Sequence, residues 1–239
     1  MSSVVSFLRE IIGIPLLDFV YPPLCFTCGN TLNSGRERIC NQCWNSLTMI
    51  TPDHEVWREI ADKLQAGGYV GGIFSCFLFE KEGTLQHVIH LLKYQGMKSL
   101  GIRLGGEIGS RMLQTGVVGG VDLLLPVPLH KYKMRERGYN QSELLCRGIA
   151  DTTGIPVDTN LLRRIKHTRS QTKLSLVERR ENVRDAFQPG SSGSSVIEGK
   201  RILRVDDVIT TGATINACAE VLCKGGAKSV FVASAALAP

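Results

Sequence analysis

Residues 201–222 read RILRVDDVITTGATINACAEVL. A mostly apolar run, Ile202 to Val205, ends in two adjacent carboxylates, Asp206 and Asp207, and Thr210-Thr211-Gly212-Ala213-Thr214 then opens a helix over 214–224. Backbone N–H groups at a helix N-terminus bind phosphate, and Gly212 permits close approach. The hydroxyls of Thr210, Thr211 and Thr214 add donors. Two carboxylates cannot bind phosphate directly, but they can accept hydrogen bonds from neighbouring sugar hydroxyls or face a metal-bound diphosphate. A ribose 5-phosphate satisfies both halves, with its phosphate in the turn and its hydroxyls on the acids. A helix cap alone would use one acid and one threonine; two acids and three threonines around a glycine exceed that need.

The rest of the chain supplies a sheet for this connection. At 239 residues it is long enough for one α/β domain and a small module. Strands are expected over 73–80, 121–127, 201–205 and 229–234, with short strand material in 155–165. Leu85, Val88, Ile89 and Leu92 recur at helical spacing. Further helices are expected over 1–20, 54–65, 100–113, the last relaxed by Gly105, Gly106 and Gly109, and 138–153 after a basic loop. Strands alternating with helices imply a parallel sheet flanked by helices, whose ligands gather at the carboxyl edge of the strands. Both strand 201–205, ending at Asp206, and strand 121–127, ending at Pro128-Leu129-His130-Lys131, point to that edge. Paired glycines at 67–68 and 71–72 mark a boundary, so a module over 1–68 precedes a main domain over 69–239.

The first module carries Cys25-Phe-Thr-Cys28 and Cys40-Asn-Gln-Cys43. Two C-x2-C knuckles make a closed tetrahedral thiolate site, and the implied ion is a structural Zn2+. Two disulfides or unrelated buried thiols are the competing reading. The opening twenty residues are apolar but broken by Arg9, Glu10, Pro15 and Asp18, which suits neither a signal peptide nor a stable membrane span. A cytoplasmic protein with reduced thiols is therefore expected. The formal net charge of +6 fits a phosphate-rich small ligand, nucleic acid or a solvated basic surface equally well.

Arg204-Val-Asp-Asp-Val-Ile-Thr-Thr-Gly-Ala-Thr214 is similar to the phosphoribosyl-pyrophosphate-binding motif of type I phosphoribosyltransferases. Its ordered companions are the paired C-x2-C motifs, Leu92-Lys93-Tyr94 with Gly96, Pro126-Val-Pro-Leu-His130 and Arg135-Glu-Arg-Gly-Tyr-Asn-Gln141. Arg169-Ser-Gln171, Arg180-Glu-Asn-Val183 and Ala186-Phe187 follow. Together they resemble the ComF family of competence-associated proteins along nearly the whole chain.

The resemblance implies a type I phosphoribosyltransferase-like domain behind a zinc-ribbon-like module. The implied ligand is phosphoribosyl pyrophosphate with Mg2+, the basic loop of Lys131, Arg135 and Arg137 facing its pyrophosphate. A mobile loop containing Arg169, Gln171 and Arg180 would close over the site. Two roles stay open. One is an enzyme of DNA uptake or nucleotide salvage that transfers the phosphoribosyl group. The other is a non-catalytic protein that binds phosphoribosyl pyrophosphate and single-stranded DNA beside a DNA-translocating helicase. Arg204 departs from the family motif, where an apolar residue is usual, and a charge in a central strand is costly unless paired or at a sheet edge.

Overall fold

The computed structural model describes residues 23–32, 38–166, 185–191 and 196–239. The expected helix over 1–20 lies outside them, as do Arg169, Gln171 and Arg180 of the expected mobile loop. Two compact units divide between Leu47 and Thr48. That division comes earlier than the glycine pairs suggest, because the helix Glu55–Gln65 buries Trp57, Ile60 and Leu64 in the core of the second unit.

The first unit is built on its cysteines. Gly29 N–H donates to the Cys25 carbonyl at 2.8 Å, closing the first knuckle, and Gly29 takes a positive φ of 76° to do so. Leu24 and Thr31 form an antiparallel bridge across the same turn. The second knuckle opens the short helix α1 (Asn41–Asn45), with Cys40 as its N-cap.

The second unit holds a four-stranded parallel sheet in the order β1-β6-β5-β2, where β1 is Gly72–Leu78, β2 Leu123–Pro126, β5 Arg201–Ile209 and β6 Ser229–Leu237. Two further strands, β3 (Leu162–Arg164) and β4 (Phe187–Pro189), pair antiparallel by themselves. Between them run α2 (Glu55–Gln65), α3 (Thr84–Tyr94), α4 (Lys98–Thr115), α5 (Lys131–Arg137), α6 (Gln141–Thr153) and α7 (Ala213–Lys224). Helices α4 and α6 form one layer over the strands, and α2 and α7 pack on β6 and on each other. Near-continuous apolar strands such as Leu123–Pro126 suit a sheet covered by helices. Each fully buried Leu or Ile contributes about 1.5–3 kcal/mol.

Three local readings are corrected. The glycines of α4 do not relax it; they let it approach α6. A Cβ on Gly105 would lie 2.2 Å from the Leu145 carbonyl oxygen, and one on Gly148 would lie 2.1 Å from that of Ile102. The basic loop after β2 is a helix, α5, with no buried residue. Its caps make it: His130 Nδ1 accepts from Tyr132 N–H at 3.2 Å, and Gly138 closes the end at φ 74°. Finally, β5 does not stop at Asp206. It stays paired with β6 as far as Ile209↔Leu237, so both acids lie within the strand.

Candidate functional site

Strand β5 and helix α7 bring the acids and the turn to one pocket. A cavity of about 240 Å³ is lined by Asp206, Asp207 and the whole run from Val208 to Ile215. Helix α7 begins on Gly212 at φ 70°, a residue with no side chain to cap the first turn. The cap residue thus offers the first-turn amides no side-chain acceptor, the arrangement found at helix starts that bind anions. The Thr211 hydroxyl is buried without a hydrogen-bond partner. Gly212 is required by its backbone angle and also by packing against Leu64.

The two carboxylates are held differently. Asp206 Oδ1 accepts from the Ser142 hydroxyl and from the Asp207 amide, both at 3.0 Å. Asp207 Oδ1 accepts from Gln141 Nε2 at 3.4 Å, and its Oδ2 is ion-paired with the Lys93 ammonium. Burial, together with the charge of Asp207, pushes the Asp206 carboxyl up to about 7. Burial raises Asp207 as well, but Lys93, Asp206 and Gln141 outweigh it and hold the group below its ordinary value. Adjacent acids in one pocket cannot both ionise freely, and the Lys93 cation settles which one does.

Basic groups surround the acids. Lys93, Lys133, Arg137 and Arg164 line the pocket with His130. Arg137 donates to Gln141 Oε1 at 2.8 Å while its guanidinium lies 5.3 Å from the centre of the exposed Tyr94 ring. Among the expected pyrophosphate-side residues, Arg137 reaches the pocket lining; Lys131 and Arg135 do not and stand exposed on α5. Sequence reasoning did not assign Lys93, Lys133, Ser142, Gln141 and Arg164 to the site. Lys93 and Gln141 fall inside the quoted motifs, which was the available signal. Lys133 alternates with Lys131 and Arg135 along α5, and Arg164 carries no sequence mark.

Arg204 sits in an interior strand between Leu125 and Val232. It is fully buried, and its Nε, Nη1 and Nη2 have no hydrogen-bond partner. Burial raises the Cys218 thiol, and the Arg204 guanidinium pulls it the other way. The charge is therefore not at an edge, and among the described residues no carboxylate pairs with it.

In the first unit the sulfurs of Cys25, Cys28, Cys40 and Cys43 all lie within 4.8 Å of one another. Cys28 and Cys40 Sγ are 3.7 Å apart, close to the ~3.8 Å edge of a tetrahedron with ~2.3 Å Zn–S bonds. The Cys40 amide donates to Cys25 Sγ at 3.3 Å and the Cys43 amide to Cys40 Sγ at 3.4 Å. Burial raises Cys25, but the amides of Cys40, Cys28 and Thr27 bring it down to about 6. Cys43 is pushed up by burial and by the neighbouring thiols. Four crowded sulfurs with amide donors fit a closed structural Zn2+ site. No disulfide joins them. Among the described residues no helix is long and apolar enough to cross a membrane.

Comparison with known proteins agrees with this geometry. The double zinc ribbon domain family matches residues 16–54, a span whose four cysteines make one tetrahedral site. The phosphoribosyl transferase domain family matches residues 142–239. Competence protein F of Haemophilus influenzae is 38% identical over 46% of this chain and 48% of its own length. DNA utilization protein YhgH of Salmonella typhi is 30% identical over 62% of this chain and 65% of its own. Competence protein ComFC of Bacillus subtilis is 26% identical over 87% of this chain and 81% of its own. The aligned part thus spans about half of the first relative and just under two thirds of the second. A zinc-ribbon module ahead of a type I phosphoribosyltransferase-like sheet, with relatives of these names, matches the arrangement of the ComF family of competence-associated proteins, which the chain resembles.

Proposed function

We propose that the chain binds phosphoribosyl pyrophosphate together with Mg2+, in the service of DNA uptake or nucleotide salvage. The observation that carries this reading is that the acid pair and the Thr210–Thr214 turn open into one cavity rimmed by Lys93, Lys133, Arg137 and Arg164. The 5-phosphate lies on the amides of Gly212, Ala213 and Thr214. The ribose hydroxyls face Asp206 and Asp207, and the diphosphate faces the cations. Mg2+ would arrive on the diphosphate with most of its waters kept, and Asp206 and Asp207 are the carboxylates of the pocket available to those waters. When bound, the ion neutralises charge that gathers on the diphosphate. Arg137 and Lys133 would steady the same charge as the bond to C1 weakens. Arg169, Gln171 and Arg180, on the expected closing loop, would exclude water.

Calorimetric titration with phosphoribosyl pyrophosphate, with and without Mg2+, tests the reading. Binding should strengthen with Mg2+ and fall at least about tenfold in Asp207→Asn, the loss of one charge-assisted sugar contact. Binding no tighter than that of inorganic pyrophosphate would remove the sugar from the argument. Pyrophosphate release with each common nucleobase tests transfer.

A second reading has its own support. Helix α5 presents Lys131, Lys133, Arg135 and Arg137 with an exposed Tyr132, and among the described residues no Phe, Tyr or Trp lines the pocket, whose one ring is that of His130. A basic helix with an exposed ring suits single-stranded DNA, and a pocket without a large aromatic platform suits a protein that does not transfer the sugar to a base. On this reading the chain holds phosphoribosyl pyrophosphate and DNA beside a DNA-translocating helicase. No pyrophosphate release with any base, joined to DNA binding that weakens steeply with salt, would select it.

A further inference from the structure

We propose that Lys93 is a specificity-determining residue, which occupies the sugar's place on Asp207 in the free protein and moves to an anion at C1 when the sugar enters. The proposal rests on the sugar-phosphate reading above and adds a rule for which sugar phosphates the pocket accepts.

The argument starts from what Asp207 already holds. Its Oδ2 has the Lys93 ammonium as counter-ion and no hydrogen-bond donor besides it, and the carboxylate is 5% exposed while the Lys93 side chain is 23% exposed. Lys93 belongs to α3, far in sequence from β5, and its flexible stem lines the same cavity as the acids. A ribose hydroxyl that bonds to Asp207 must therefore displace a cation. Exchanging an ion pair for a hydrogen bond from an uncharged hydroxyl, which leaves the ammonium without its counter-ion, is unfavourable by itself. It becomes favourable when the released ammonium finds a new anion. The 5-phosphate is held at the start of α7 by the other end of the site. The anion within reach of the freed lysine is then one attached at C1, the opposite end of the sugar.

The neighbouring cation behaves differently. Arg137 is tied to Gln141 and to the Tyr94 ring, and it meets no carboxylate of the acid pair in the described contacts. A lysine, with a compact charge on a rotatable stem, is suited to changing partners, whereas a planar guanidinium fixed by two contacts is not. A pentose with one terminal phosphate would thus be disfavoured, and one that also carries a C1 diphosphate would be admitted.

The test is titration of wild type, Lys93→Met, Lys93→Gln and Lys93→Arg with inorganic phosphate, ribose 5-phosphate and phosphoribosyl pyrophosphate with Mg2+. Wild type and Lys93→Arg should prefer phosphoribosyl pyrophosphate to ribose 5-phosphate by about tenfold or more. In Lys93→Met and Lys93→Gln the ribose 5-phosphate affinity should rise while that for phosphoribosyl pyrophosphate falls, bringing the ratio toward unity. A parallel loss of both ligands in the two neutral variants, or an unchanged ratio, overturns the role of Lys93 and leaves the sugar-phosphate reading standing. Wild type that takes up neither sugar phosphate overturns both.

Discussion

A Cβ atom placed on Gly212 would stand 2.5 Å from Cδ2 of Leu64, a side chain that is itself fully buried. The turn that opens α7 is thus wedged against α2 from within, and its backbone sits at a φ of 70° besides.

Gly212→Ala should lower stability by about 1–3 kcal/mol from the left-handed backbone and the collision with Leu64. Phosphate-ligand affinity should fall in the same protein, because the amides of Ala213 and Thr214 move with the turn. Chemical denaturation and calorimetry read the two effects; normal stability in this variant would refute the wedge.

Arg204→Met should stabilise the fold by on the order of 1–4 kcal/mol, since it replaces a buried charge that has no carboxylate partner among the described residues with an apolar chain of similar length. The denaturation midpoint should rise with an unchanged slope. A fall of the midpoint would mean that the guanidinium holds a partner the described contacts do not include.

Stability should depend on pH through the acid pair, with opposite signs for its members. The raised Asp206 carboxyl keeps its proton in the folded chain up to about 7. Its contribution is therefore fully present below the ordinary carboxylate range and is lost as pH rises toward 7. The lowered Asp207 contributes above the ordinary range and loses its share as pH falls through its own depressed value. Asp206→Asn should flatten the stability profile between about pH 4 and 7, whereas Asp207→Asn, which removes one of the two causes of the Asp206 shift, should shrink that decline and leave the part due to burial. Identical profiles in wild type and Asp206→Asn would count against the assignment.

The purified protein should carry close to one zinc per chain. Cys28→Ser should lose most of it, as should treatment with a strong chelator, because each of the four sulfurs supplies one corner of the tetrahedron. Elemental analysis of the wild-type protein showing no zinc would dispose of the site.

Much of this arrangement was visible in the residues. The two C-x2-C pairs and the Asp206–Thr214 run name their own chemistry, because ligand type and spacing are local properties. Strands β2, β5 and β6 show as apolar runs for the same reason. Helix α5 was hidden because a helix with no buried face has no hydrophobic period; only His130 and Gly138, its caps, mark it. The continuation of β5 through Asp206 and Asp207 was hidden because acids disfavour strands in general, and here the ladder to β6 overrides that preference. Lys93 was hidden for a different reason. Its partner stands 114 positions along the chain, and no local pattern encodes which helix a parallel sheet will set beside a given strand end. The close approach of α4 to α6 likewise belongs to the pair: Gly105 reads as a weak point until Gly148 of α6 is known to face it.

The unbroken ladder of β5 has a last consequence. Because β5 stays laddered to β6 past Asp206 and Asp207 and the turn follows directly from Ile209, the interval from carboxylates to amides is set largely by the sheet. The pocket works as a fixed gauge. On the sugar-phosphate reading, molecules whose diol and phosphate are spaced wrongly would not be accommodated by bending the protein, and selectivity for chain length would come from the scaffold itself.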